Sequence, residues 1–120
     1  QPQYNMFHRG IEKEIIPLCG QEGIGQVVYC PLAQGVLTGK YKPGTPAPEG
    51  SRATDPNSNM FMEWVLKEEQ LQKVEQLKPI AERNDLSVAQ LALAWILRLK
   101  STRFWMETAW VLSVRPMAVT

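Results

Sequence analysis

A single short run of β-branched residues, "GQVVYC" at residues 25–30, constrains the possible folds of this chain most. An uninterrupted apolar run next to glycines is typical of a strand that is buried on both faces. We predict that Val27 and Val28 form the centre of a parallel strand and that Tyr29 lies at its carboxyl end. One strand cannot satisfy its own backbone hydrogen-bonding groups, so it needs partners in a sheet. Residues 1–4 are a candidate stub of such a partner.

Helical patterns surround this strand. Apolar residues recur with helical spacing over residues 11–19, where Pro17 is expected to strain the helix. Residues 68–84 predict a second helix bent by Pro79, and residues 87–98 predict a third, heavily buried helix with a capping box at its start. The apolar face of the second helix is predicted to contain Leu71, Val74, Leu77, Ile80 and Ala81. The order of helix, strand, long loop, helix and helix indicates the α/β class, with further strands of a parallel sheet missing from the pattern.

The long loop covers residues 30–58, where proline and glycine recur too often for a regular element. Ligands of parallel α/β sheets bind at the carboxyl ends of the strands, which is where this loop begins. Its glycines allow close approach of the backbone, Lys40 and Arg52 suit anionic oxygens, and Tyr29 offers a face for stacking. These features favour a site for a flat, phosphorylated cofactor. The alternative is a plain connection, which is the commoner role of such loops, and neither GxGxxG nor a Walker A motif is present.

Composition excludes several classes of function. The net charge is +1, and the 13 basic residues are dispersed, so we expect no nucleic acid or membrane partner. Cys19 and Cys30 make no disulfide framework, and without a Cys/His cluster we expect no metal site. Free thiols, and the lack of a signal peptide or an apolar run long enough to span a bilayer, favour a cytoplasmic location. His8 stands alone and is expected to be structural, and the opening "QPQYN" reads as though cut from a longer protein.

Four stretches, "QPQYNMFHR", "YCPLAQGVLTGKY", "GSRAT" and "LSVAQLALAWILR", occur here in this order. Together they resemble the C-terminal half of an aldo-keto reductase, with most likeness to bacterial members related to the potassium-channel β subunits. The resemblance covers residues 1–98. It implies a partial (β/α)8 TIM barrel, rich in helices and with few strands, from an NADPH-dependent oxidoreductase that reduces a small-molecule carbonyl to an alcohol.

The resemblance also implies cofactor-binding residues. Gln1 matches the glutamine that holds the nicotinamide amide, and Tyr29 matches the aromatic residue that stacks on the nicotinamide ring. Lys40 and Arg52 match basic residues of a loop that folds over the cofactor. The turn that lines the pyrophosphate is matched by Cys30, Pro31, Leu32, Ala33 and Gln34. Serine is usual at position 30, and cysteine is a weaker hydrogen-bond donor.

The family's catalytic Asp, Tyr, Lys and His lie on earlier strands, so the resemblance assigns no catalytic residue to this sequence. We expect the chain alone to be inactive and to bind NADPH weakly or not at all. A non-catalytic remnant or interaction module, or a redox-sensing NADP-binding protein, are the alternatives. The sequence does not identify the carbonyl substrate.

Residues 99–120 do not match the family pattern and are expected to form an atypical tail, for which we hypothesise a frame change near Leu99. The tail contains Phe104, Trp105 and Trp110. With "LALAWIL" of the third helix, these residues are expected to expose apolar surface and to promote self-association.

Overall fold

The computed structural model describes residues 1–99 and the backbone of residues 102–104. These residues belong to two compact units, one formed by residues 1–31 together with the chain from Ala92 onward, the other by residues 32–91. The helices are α1 (Ile15–Gln21), α2 (Met62–Val65), α3 (Glu68–Arg83) and α4 (Val88–Leu97), and the strands are β1 (Gln26–Val28) and β2 (Thr102–Phe104). Short 3₁₀ turns cover Gly10–Glu12, Ala33–Thr38 and Arg52–Thr54.

The predicted parallel strand is confirmed. β1 pairs in parallel with β2, and Tyr29, directly after β1, forms a parallel bridge with Gln3. The Tyr29 N–H donates to the Pro2 carbonyl at 3.0 Å, and the Tyr29 carbonyl accepts from the Tyr4 N–H at 3.3 Å. The stub expected at residues 1–4 is therefore present, and both of the segments that pair with β1 and Tyr29 run parallel to them.

The first unit has a small apolar core beneath β1. Tyr4, Ile11, Val28 and Ile96 are buried, and Trp95 packs against them together with two other partly buried side chains, Ile16 and Leu99. Because Ile96 and Trp95 lie in the last turn of α4, this helix covers one side of β1. Burying such side chains is the main source of stability for the unit.

The helix predicted over residues 11–19 is corrected by the structure. A 3₁₀ turn ends at Glu12, and α1 begins only at Ile15. Pro17 is therefore the third residue of the helix, in the first turn, where a backbone N–H has no intrahelical acceptor and a proline causes little strain. Ile15 and Leu18 of the predicted stripe are exposed rather than buried.

The second unit contains α3 nearly where the sequence predicts it. Leu71, Val74 and Ala81 of the predicted face are buried, whereas Ile80 is exposed. Pro79 lies inside the helix, which continues to Arg83. The short helix α2 was not predicted, because its four residues are too few to show a period. The remaining buried apolar side chains of this unit are Ala33, Val36, Leu37, Tyr41, Met62 and Val88.

The capping box before α4 is confirmed. The Ser87 N–H donates to Oε1 of Gln90 at 2.8 Å, and the Gln90 N–H donates to Oγ of Ser87 at 3.2 Å. Two backbone donors that lack intrahelical partners are thus satisfied at the start of the helix. Within the described residues, no helix has the length and apolar character needed to cross a bilayer.

Glu12 is the electrostatic centre of the first unit. Its carboxylate accepts hydrogen bonds from the Tyr4 hydroxyl at 2.6 Å, from Arg9 Nε at 3.0 Å and from Arg98 Nη2 at 3.1 Å. The Arg98 guanidinium also lies 3.7 Å from the centroid of the Trp95 ring. Hydrogen bonds from Arg9 above all, and then from Tyr4 and Arg98, lower the pKa of the Glu12 carboxyl from an ordinary 4.5 to about 2.

This shift predicts how stability depends on pH. Because the folded-state pKa of Glu12 lies below the unfolded value, the unfolded chain binds the extra proton more readily, and stability falls as pH drops from about 4.5 to about 2. The side chain is 26% exposed, so after solvent screening we expect a loss of roughly 1–2 kcal/mol in the free energy of unfolding.

Urea denaturation across pH 2 to 7 measures this loss. The variant Glu12→Gln should be less stable at neutral pH and should show a smaller decline in acid. Glu14→Gln, at an exposed position just before α1, is the matched control and should behave as the unaltered chain. Parallel pH profiles for the unaltered chain and Glu12→Gln would contradict the assignment.

Candidate functional site

Tyr29 presents an exposed ring at the carboxyl end of β1. The side chain is 53% exposed, although its backbone is fixed by hydrogen bonds to Pro2 and Tyr4. Gln1, another of the predicted site residues, is exposed two residues before Gln3, the bridge partner of Tyr29. A rigid backbone with an exposed ring suits stacking, because little side-chain freedom is lost when a flat group binds.

The turn after Tyr29 has an uncommon backbone. Cys30 (φ 54°), Ala33 (φ 47°) and Gln34 (φ 59°) are non-glycine residues with left-handed torsions, and Gly35 follows at φ 92°. Each such residue costs on the order of 1 kcal/mol or more, and strain of this kind clusters at binding and catalytic sites. The sequence pattern indicated close approach of the backbone only at the glycines, and the left-handed torsions at these three other residues were not predicted.

The second half of the turn is held in the second unit. The Leu32 carbonyl accepts from the Gly35 N–H at 3.0 Å and from the Leu37 N–H at 3.1 Å. Ala33 and Leu37 are buried. The small side chain predicted to line a pyrophosphate at position 33 therefore anchors the turn, and its backbone, rather than its methyl group, is the part suited to contact a ligand.

Lys40 lies against this turn. A Cβ atom placed on Gly35 would come within 3.2 Å of Lys40 Cε and 3.3 Å of Nζ, so the lysine occupies the space that the missing side chain leaves. The Lys40 ammonium is also 5.2 Å from the ring centroid of Tyr41, whose side chain is buried. Gly35 thus serves to admit a positive charge, and the Thr38 hydroxyl closes the turn by donating to the Gly35 carbonyl at 2.7 Å.

Arg52 is placed in a separate turn of the same unit. It opens the 3₁₀ turn Arg52–Thr54, is exposed, and its Nε donates to the Ser58 carbonyl at 3.0 Å. Asp55 stabilises the same loop by accepting hydrogen bonds from the Asn57 N–H and the Ser58 hydroxyl. Lys40 therefore contacts the glycine turn, whereas Arg52 is tied to its own loop.

Sequence reasoning missed Asn5. This side chain is 1% exposed, and its Nδ2 donates to the Cys30 carbonyl at 2.8 Å. Its Oδ1 accepts from the N–H groups of Phe7 and His8, each at 2.9 Å. An asparagine beside a strand end is a turn signal, but its bond to a residue 25 positions away cannot be read from local sequence.

Metal-binding geometry is not found in the part of the chain that the structure describes: no group of three or more His, Cys, Asp or Glu side chains there is placed to hold an ion. His8 is exposed, and its backbone pairs with Asn5.

A helix-flanked parallel strand that ends in an exposed aromatic residue and a strained turn defines an α/β protein with a candidate site at the strand's carboxyl end. The chain belongs to the aldo/keto reductase family, whose model matches residues 1–115. The sequence resemblance is thereby confirmed, and the fold is the TIM-barrel fold of that family.

Two curated relatives and one solved structure are similar to this chain. The chain is 46% identical over 96 residues to a probable voltage-gated potassium channel subunit beta of Arabidopsis thaliana, covering 79% of this chain and 29% of the relative. It is 32% identical over 99 residues to L-glyceraldehyde 3-phosphate reductase of Escherichia coli, covering 82% of this chain and 29% of the relative. The structure of a glycerol dehydrogenase from Gluconobacter oxydans superposes with a TM-score of 0.63 at 28% identity, covering 86% and 30%. The chain thus spans less than a third of the length of each.

The contact between Gly35 and Lys40 yields a prediction. Gly35→Ala should lower the free energy of unfolding by roughly 1–3 kcal/mol, because alanine is strained at φ 92° and its methyl group would displace Lys40. Chemical denaturation measures the change. Gly20→Ala is the matched control: it lies in α1 with no atom within 4 Å of the added methyl, and it should be neutral or stabilising. Equal effects of the two substitutions would count against the strained turn.

Proposed function

We propose that these residues form the C-terminal, cofactor-binding part of an NADP(H)-dependent aldo-keto reductase that interconverts a small carbonyl compound and its alcohol. In this proposal the barrel is partial within this sequence: residues 1–98 supply most of its contribution, and β2 adds a parallel strand beside β1. The atypical tail proposed for residues 99–120 is therefore a departure in sequence pattern and does not mean that this strand is lost. The observation that carries the proposal is the strained turn that directly follows an exposed tyrosine at the end of a parallel strand. The names of two relatives, a reductase and a dehydrogenase, support the class of reaction.

In this proposal Tyr29 stacks on the nicotinamide ring and Gln1 bonds to its amide. The turn from Cys30 to Gln34, with left-handed torsions at Cys30, Ala33 and Gln34, presents peptide groups to the pyrophosphate in this proposal, and backbone N–H groups are suitable donors for it. Pro31 and Leu32 line the same turn, and the Cys30 thiol is a weaker donor than the serine that is usual there. The cofactor, when bound, supplies the hydride; the residues named here orient it.

Two cations complete the proposed set. Lys40 is already held beside the glycine turn, and Arg52 extends from a loop closed by its own hydrogen bonds. A guanidinium or an ammonium binds phosphate oxygens through charge-assisted hydrogen bonds. Because the cofactor carries several negative charges, both side chains gain partners on binding and neither has to be moved from a buried position.

No residue of this sequence is proposed as catalytic. General acid catalysis needs a donor within hydrogen-bond reach of the carbonyl oxygen, and the resemblance places the family's tetrad on strands that precede Gln1. The segment by itself therefore lacks proton donation, and we propose a reducing, cytoplasmic setting for the enzyme of which it is part.

The absence of catalysis in the segment is testable. The purified 120-residue chain, mixed with NADPH and an aromatic aldehyde, should show no steady-state loss of NADPH absorbance above that of a heat-inactivated sample. Turnover well above that background would contradict the proposal that the catalytic groups lie elsewhere.

Cofactor contact is testable in a chimera in which residues 1–98 replace the matching segment of the E. coli L-glyceraldehyde 3-phosphate reductase. Arg52→Ala should weaken NADPH binding by about ten- to a hundredfold, as expected for a lost charged hydrogen bond of roughly 1.5–3 kcal/mol. Tyr29→Ala should cost on the order of 1 kcal/mol, about fivefold, through lost stacking. Fluorescence titration of NADPH measures both.

The matched control is Arg83→Ala, an exposed arginine in the last turn of α3. It removes the same charge at a site with no proposed role and should leave the affinity unchanged. If Arg52→Ala and Tyr29→Ala also bind NADPH normally, the cofactor assignment of the turn is wrong.

A second role, self-association, is favoured by one observation. Met60, Phe61 and Trp64 are consecutive or nearly so and are exposed to 73%, 54% and 73%, and exposed apolar groups of this size commonly mark interaction surfaces. The sequence predicted exposed apolar surface elsewhere, in the stretch "LALAWIL" of α4 and in the tail. Most side chains of α4 are buried or half-buried, and Phe104, Trp105 and Trp110 lie outside the residues whose side chains are described. We propose that a second copy of the chain covers the surface of Met60, Phe61 and Trp64.

Light scattering against concentration tests this second role. Trp64→Asp should lower the apparent mass at high concentration, because it places a charge in the apolar surface. Gln76→Glu, an exposed change of equal charge on α3, is the control and should associate as the unaltered chain does. A monomer at all concentrations, for the unaltered chain, would end the proposal.

A further inference from the structure

We propose that Asn5 is a positioning residue for the turn after β1: its carboxamide holds Cys30 in the left-handed conformation and so sets the direction in which the chain leaves the strand. The conformational statement stands on the structure of the first unit. The consequence for cofactor binding rests on the proposed function.

Asn5 is a rigid hydrogen-bonding group. Its backbone N–H donates to the His8 carbonyl at 3.2 Å, and its carbonyl accepts from the His8 N–H at 3.0 Å. The side-chain oxygen accepts from the Phe7 and His8 N–H groups, which leaves Nδ2 directed to the Cys30 carbonyl at 2.8 Å. This pattern fixes the amide orientation, because a flipped carboxamide would set NH₂ against two N–H donors. The side chain is only 1% exposed, so it has little freedom to bond elsewhere.

Cys30 needs such a partner for two reasons. Its φ is 54°, a value that a non-glycine residue reaches only at a cost. It also precedes Pro31, and a residue before proline prefers extended torsions at negative φ. Cysteine followed by proline would therefore adopt an extended conformation unless another part of the chain fixed its carbonyl.

Residues 2–5 act together as a template for the end of the strand. Pro2 and Tyr4 fix both backbone groups of Tyr29, and Asn5 then fixes the carbonyl of Cys30. The three contacts follow in order along two parallel segments. Tyr29, the last paired residue, and Cys30, the first residue of the turn, are therefore fixed by consecutive parts of the same N-terminal segment. Asparagine suits the last position because it donates and accepts at once, whereas aspartate lacks the donor and alanine lacks both.

A double-mutant cycle on the 120-residue chain tests the assignment. Asn5→Ala should lower the folding equilibrium constant by about ten- to a hundredfold, because the Cys30 carbonyl and the Phe7 N–H lose their bonds to the carboxamide and the His8 N–H loses one of its two acceptors. Cys30→Gly removes the torsional strain, since glycine adopts positive φ freely. In the unaltered background the loss of Asn5 lets Cys30 relax and recover part of its strain, whereas in the Cys30→Gly background there is no strain to recover. The cost of Asn5→Ala should therefore be about fivefold larger in the Cys30→Gly background, a coupling that denaturation curves resolve. An equal cost in both backgrounds would show that Asn5 holds only its own turn and would overturn the proposal.

Two further variants sharpen the cycle. Asn5→Asp keeps the acceptor for Phe7 and His8 but loses the donor to Cys30, so its cost should also be larger in the Cys30→Gly background. Asp85→Gly is the matched control: Asp85 is another left-handed residue, at φ 53°, in the other compact unit, and it should not alter the cost of Asn5→Ala. If Asn5→Ala does not fold, Asn5→Asp carries the same comparison, and equal costs of Asn5→Asp in the two backgrounds would count against the proposal.

NADPH titration of the chimera separates the two parts of the inference. Asn5→Asp should weaken binding about tenfold, and Cys30→Gly should restore most of it. Weaker binding in Arg52→Ala but unchanged binding in Asn5→Asp would overturn the positioning of the cofactor turn by Asn5 while leaving the proposed function intact. A different outcome would separate the two parts in the other direction: Asn5 and Cys30 are coupled in stability, but NADPH affinity is normal in Arg52→Ala, Tyr29→Ala and Asn5→Asp alike. That result would support the conformational role and refute the proposed function.

Discussion

The carboxylate of Glu12 is the interaction on which the first compact unit depends. It accepts from Tyr4 near the start of the chain, from Arg9 beside it, and from Arg98, which is 86 residues away. Arg98 stacks on Trp95, and the Trp95 ring lies 5.2 Å from that of Tyr4, so charge and aromatic surface are shared by the same few side chains. A partly buried carboxylate with three donors is stable only as an ion. The network therefore holds the extended N-terminal segment, the following 3₁₀ turn and the end of α4 together as a set.

Part of the fold could be predicted from the sequence because its signals are local. The β-branched pair at Val27 and Val28 and the capping box at Ser87 and Gln90 are local signals, and the structure realises both. The stripe at residues 11–19 was misread because its spacing matches a helix, while Glu12 is drawn into the charge network and Ile11 into the core. The chain consequently forms a 3₁₀ turn there and starts its helix later. Tertiary contacts overrode the local periodicity at that point.

In the candidate site, too, the features with local signals could be predicted and the features that depend on tertiary contacts could not. The position of Tyr29 at the end of a strand could be predicted because β-branched residues followed by an aromatic residue form a recognisable pattern, and the turn at Gly35 could be predicted because glycine marks turns. The left-handed torsions at Cys30, Ala33 and Gln34 could not be found, since residue propensity assigns positive φ to glycine and asparagine. At Cys30 the torsion depends on a hydrogen bond from Asn5, which is 25 residues away in the sequence, and Ala33 is buried. Strain of this kind is visible only in a folded chain.

The two cations differ in how far the protein prepares them, and this difference bears on binding. Lys40 is exposed, but its ammonium lies 5.2 Å from the ring centroid of Tyr41 and its side chain runs beside Gly35. Arg52 is anchored through Nε alone, and the rest of its guanidinium extends from an exposed loop. Ordering a long side chain costs about 0.5–1.5 kcal/mol on binding. Both side chains are exposed, so each would lose rotamer freedom on binding an anion. They differ in that a hydrogen bond to the Ser58 carbonyl already orients the Arg52 guanidinium, whereas Lys40 is oriented by its contact with the Tyr41 ring.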